Sequence, residues 1–81
     1  MIIGEHEFYL LCERYELSPR QRQIVAAMLN GTLHQKDLAC IRGINHRTLA
    51  SQLYRINKKM HNGSMIEILY TFVSEAKAMT R

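Results

Sequence analysis

Three times in 81 residues the sequence repeats one helix-start signature, each time ahead of apolar residues at helical spacing. Ser18-x-x-Gln21, Thr32-x-x-Gln35 and Ser64-x-x-Glu67 all match S/T-x-x-E/Q. In that pattern the first side chain accepts from the backbone N–H three residues on, and the second reaches back to the cap. No stretch alternates apolar and polar residues between hairpin-type turns, so strands are not expected. The chain reads as all-α, assembled from short helices with connections of a few residues.

The stop signals agree with the starts. The single proline, Pro19, falls at the first position of the helix behind Ser18, where a missing N–H costs nothing, and Leu17 precedes it as a staple. That helix should run to about Leu29, burying Ile24, Val25, Met28 and Leu29, with Asn30-Gly31 as its left-handed stop. A short helix from Leu33 to about Ile41 should bury Leu38, Ala39 and Ile41. Gly43 then permits a tight turn, Ile44 returns to the core, and Asn45 caps a helix over His46–Met60. On it Leu49, Leu53, Ile56 and Met60 form one stripe at i, i+4, i+7 and i+11. A last helix, Met65 to about Met79, follows Ser64, with Met65, Leu69, Phe72 and Ala76 expected in the core. Ahead of them all, a helix from Glu5 to about Tyr15 carries Phe8, Leu11, Cys12 and Tyr15 on one face.

Charge is polarised along this series. The chain holds 11 Lys/Arg and 7 Asp/Glu, a net +4. Residues 1–16 sum to −3, whereas residues 42–61 carry Arg42, Arg47, Arg55, Lys58 and Lys59 and no acid. Opposite the apolar stripe of helix 46–60 stand Arg47, Ser51, Tyr54 and Lys58, flanked by Ala50 and Arg55. Arginine can read guanine bidentately, serine and tyrosine can bond phosphates or base edges, and alanine can lie against a thymine methyl. A short helix, a glycine-containing turn and a longer basic helix make the layout of a helix-turn-helix. Double-stranded DNA is the partner that this face suits.

Other functions find less support. A chain this short has no room for a scaffold plus a sheltered cleft, and no Ser/His/Asp set, carboxylate pair or glycine-rich phosphate loop can be assembled, so it is not read as an enzyme. Cys12 and Cys40 stand outside any ligand spacing and the four histidines are scattered. Both cysteines are expected as buried free thiols, with no metal and no cofactor. The N-terminus lacks a basic leader region, and nothing approaches the roughly 18 apolar residues of a membrane span. The expectation is a cytoplasmic chain, nucleoid-associated when bound to DNA, with no membrane partner.

Taken together, "LSPRQRQIV" (17–25), "KDLA" (36–39), "GINHRTL" (43–49), "INKKM" (56–60) and "SMIEIL" (64–69) resemble the DNA-binding domain of LuxR/FixJ/GerE-type bacterial regulators. The matching segments occur in order over about residues 17–74. The resemblance implies a four-helix LuxR-type helix-turn-helix domain over 17–81, preceded by an acidic N-terminal helical extension over 1–16. It implies a sequence-specific transcriptional regulator, bacterial or phage, that inserts helix 46–60 in the major groove. Its DNA-contacting residues would be Lys36, His46, Arg47, Thr48, Ala50, Ser51, Tyr54, Arg55, Lys58 and Lys59.

The family's last helix commonly pairs two subunits, which implies a homodimer through Ile66, Tyr70, Val73 and Lys77 on a pseudo-palindromic operator. Docking of the acidic N-terminal helix on the apolar surface of helix 65–79, through Phe8, Leu11 and Tyr15, is the competing expectation. The sequence departs from the family at Gln21 and Gln23, where glutamates are usual, and at Ala50, Gln52 and Arg55 in the recognition helix. A residue is also added between Gly31 and Lys36. Without a preceding receiver or sensor domain, the chain is expected to be a stand-alone regulator. The alternative function is a small interaction protein that pairs through its C-terminal helix with a full-length regulator, as a heterodimer, or with RNA polymerase.

Overall fold

The computed structural model describes residues 2–80, except for the side chains of residues 41 and 42. Among these residues are five α-helices and no strand: α1 (Glu5–Arg14), α2 (Pro19–Leu29), α3 (Gln35–Arg42), α4 (His46–Met60) and α5 (Met65–Met79). Their boundaries follow from the caps. Ser18 Oγ accepts from Gln21 N at 3.2 Å while Gln21 Oε1 accepts from Ser18 N at 3.0 Å, so both halves of this box form. Asn45 Oδ1 accepts from Thr48 N at 2.8 Å at the start of α4. Ser64 Oγ accepts from Glu67 N at 3.2 Å, but the Glu67 carboxylate bonds the serine hydroxyl instead of reaching the cap's backbone.

The Thr32 box does not form. Thr32 donates its backbone N–H to the Ala27 carbonyl at 3.0 Å, closing the end of α2 around Gly31, whose φ is 109°. Residue 32 thus belongs to the preceding helix stop, and α3 begins at Gln35 behind His34, which makes no side-chain cap. At the far end of α3, Gly43 adopts φ 64° and Ile44 N bonds Ala39 O at 3.0 Å, so three residues connect α3 to α4.

One hydrophobic core joins all five helices. Leu11 and Cys12 of α1, Ile24, Val25, Met28 and Leu29 of α2, Leu38 and Ala39 of α3, and Leu49, Leu53, Ile56 and Met60 of α4 are buried. The expected burial of Ile41 lies outside the described residues. Along α5 the seam differs from expectation: Ile68, Phe72 and Ala76 are buried, whereas Met65 and Leu69 are only half-buried. The cause is α1, which packs on the Phe72 side of α5 and turns that side inward. The Phe8 and Tyr15 rings lie 5.8 and 6.5 Å from the Phe72 ring, and Arg14 pairs with Glu75 at 3.1 Å.

On its other flank α1 is fastened to α2. Arg22 lies over the Tyr9 ring at 5.6 Å, pairs with Glu13 at 3.6 Å and donates to the Leu17 carbonyl at 3.0 Å. The acidic N-terminal helix is therefore built into the core. The thiols also divide: Cys12 is buried, as expected, but Cys40 is exposed on α3. Leu38 and Ala39 supply the inward face of that short helix, and Cys40 follows them onto the outer one.

Candidate nucleic-acid interface

The apolar stripe of α4 decides what its other side presents. With Leu49, Leu53, Ile56 and Met60 facing inward, His46, Arg47, Ala50, Ser51, Tyr54, Arg55 and Lys58 are all exposed. Tyr54 is 61% exposed, and the Lys58 ammonium lies 5.4 Å from its ring centroid. Such a cation–π contact holds the phenol and the ammonium side by side on the outer face. No acid stands in α4, and among the described residues both ion pairs lie at the α1 junctions, Arg14–Glu75 and Arg22–Glu13. Among the described residues Arg47, Arg55 and Lys58 are exposed and in no ion pair. The surface is a convex helix bearing positive charge, suited to a groove lined by phosphates.

Other expected contacts fall elsewhere. Thr48 is half-buried, with its backbone N–H spent on the Asn45 cap. Lys36 is exposed in the first turn of α3, beside the acidic Asp37. Arg42, part of the basic stretch, lies outside the described side chains. Lys59 differs most from the rest: its Nζ donates to the Glu16 carbonyl and to Gln21 Oε1, each at 2.8 Å. Gln21 is 3% exposed and donates through Nε2 to Gln52 Oε1 at 3.2 Å. Gln52 is thus engaged inside the protein. The sequence shows Gln21 as a capping residue; its link to Lys59 and Gln52 spans three elements and has no local signature.

The four residues expected at a subunit interface are split. Ile66 and Tyr70 are 77% and 72% exposed, and Lys77 is exposed, but Val73 is half-buried against the core. Leu69 on the same helix lines an apolar groove with Ile2, Met28, Leu29 and Leu33, and Ile2 and Leu33 are themselves exposed. The N-terminal helix covers Phe72 and leaves Ile66 and Tyr70 bare.

Perturbed titrations gather at the α1 junctions, away from α4. Burial pushes the Cys12 thiol up to about 11, with Arg22 opposing and Glu13 assisting. Burial, and then the hydrogen bond to Glu75, push the Tyr15 phenol up to about 12. Among the described residues no group of three His, Cys, Asp or Glu could hold a metal ion, and no helix is long and apolar enough to cross a membrane. No family model, curated protein or solved structure matches the chain.

Proposed function

We propose that the chain is a sequence-specific, double-stranded-DNA-binding transcriptional regulator of the LuxR/FixJ type, with α3 and α4 as its helix-turn-helix and α4 as the recognition helix. One observation carries this reading: the entire outer face of α4 is exposed, basic and free of acid, and a three-residue turn joins α4 to the short helix before it. In this arrangement Arg47, Ser51 and Tyr54 reach base edges, and Arg55 and Lys58 meet the backbone. Subunits pair through the exposed Ile66 and Tyr70, extended by the groove at Leu69, and a two-fold pair of this kind suits half-sites about one DNA turn apart.

A second reading rests on that same apolar face of α5. In it the chain pairs with a full-length regulator or RNA polymerase and modulates it without touching DNA. Titration across salt concentrations separates the two. Phosphate contacts release counterions, so log affinity for duplex DNA should fall linearly with log salt, and Arg47→Ala should cost about 1–3 kcal/mol at one base pair. If Arg47→Ala and Tyr54→Ala both bind like the wild type, the recognition face is misassigned.

A further inference from the structure

Lys59 belongs by sequence to the basic run of α4 and is exposed like its neighbours, yet its ammonium makes two hydrogen bonds within the chain. We infer that Lys59 is a positioning residue and not a DNA contact: with Gln21 as its buried partner, it clamps the recognition helix to the start of α2 and the end of α1. The inference rests on the DNA-binding reading above. At 3.6 residues per turn, Lys59 points about 100° away from the centre of the Arg47–Ser51–Lys58 face.

Its two acceptors come from different elements. The Glu16 carbonyl lies in the turn after α1, where Glu16 adopts φ 55° and Leu17 N closes back on Cys12 O at 3.0 Å. Gln21 Oε1 already receives Ser18 N at 3.0 Å, so the lysine fills the second lone pair of a buried oxygen. The amide nitrogen of the same side chain holds Gln52 at 3.2 Å, two turns earlier on α4.

One buried glutamine therefore grips α4 at two heights. An ammonium that left for a phosphate would take one of two donors from the buried Gln21 Oε1, and an unmade hydrogen bond at a buried group is costly, whereas the exposed Glu16 carbonyl would be hydrated. A recognition helix must be held to within about 0.5 Å to read base edges, so the consequence of losing the clamp falls on discrimination more than on charge.

Two double-variant cycles on the full chain test this. In the first, wild type, Lys59→Met, Gln21→Leu and the double variant are titrated with a selected operator and with a random duplex across salt. Each single variant should bind operator several-fold more weakly, with the random-duplex affinity and the salt slope unchanged. The double variant should lose no more than the worse single one. Gln21→Glu, which keeps an acceptor oxygen for Lys59 but loses the donor to Gln52, should restore part of the operator affinity that Gln21→Leu loses.

A slope reduced by about 0.9, with equal loss on both duplexes, would make Lys59 a phosphate contact and overturn the inference. The second cycle follows urea unfolding without DNA, where additive destabilisation by the two substitutions would also overturn it. If Lys59→Met fails to fold, Lys59→Gln, which keeps a donor, takes its place in both cycles. A wild-type chain that binds neither duplex at low salt would instead defeat the DNA-binding reading, and the unfolding cycle would still decide the clamp.

Discussion

Replacing Phe72 by alanine strikes the junction through which the N-terminal helix becomes part of the fold. The side chain is fully buried, and its ring meets those of Phe8 and Tyr15 at 5.8 and 6.5 Å. A buried phenylalanine removes roughly 150–250 Å² from water, which at about 25 cal/mol per Å² is roughly 4–6 kcal/mol. Alanine keeps part of that surface, and large-to-small series place such changes at about 3–5 kcal/mol. A domain of 81 residues, at about 0.05–0.15 kcal/mol per residue, holds only about 4–12 kcal/mol in all. The substitution therefore consumes about a quarter of the stability or more.

Since 1 kcal/mol moves the midpoint of a domain this size by about 4–8 °C, the melting temperature should fall by at least about 12 °C. Urea unfolding should show a lower midpoint with an unchanged slope. Phe72→Leu, which fills much of the space but loses the ring pairs, should cost about 1 kcal/mol. A loss below about 1 kcal/mol for Phe72→Ala would mean that α1 does not dock on α5 through this ring.

The remaining expectations are narrower. A thiol reagent at neutral pH should label Cys40 at once and Cys12 only after unfolding; two equally fast thiols would contradict the burial of Cys12. Because Cys12 and Tyr15 hold their protons more tightly folded than unfolded, stability is complete below about pH 9 and is lost as pH rises through about 9–12. A urea midpoint that stays flat to pH 11 would refute that linkage. Tyr70→Glu would place like charges across a two-fold interface, so sedimentation at tens of micromolar should show folded monomers where the wild type is dimeric; a monomeric wild type, with and without DNA, excludes the pairing.

How much could be read beforehand depended on whether the signal was local. The Ser18 and Asn45 caps and the α4 stripe depend on neighbours within a few turns, and each forms as the residues suggest. The Thr32 box fails because the same residue is also wanted by the stop of α2, and the Gly31 turn takes its N–H first. In α5 the phase was ambiguous: apolar residues occur on nearly every side, and only the docking of α1 selects Ile68–Phe72–Ala76 over Met65–Leu69. The exposed cations of α4 follow directly from its stripe. Lys59 is exposed as well and lies to the side of that face by helical spacing, but its hydrogen bonds could not be read from sequence, because its acceptors Glu16 and Gln21 are distant in the chain.

In the proposed function the outer face of α4 reads duplex DNA. Selection of bound sequences from a random duplex pool at physiological salt tests it most directly, with Arg47→Ala run in parallel. The wild type should return a recurrent inverted repeat with half-sites about 10 base pairs apart, and the variant should show relaxed preference at one position of each half-site. No enrichment at any salt concentration, or an identical motif from Arg47→Ala and the wild type, would contradict it.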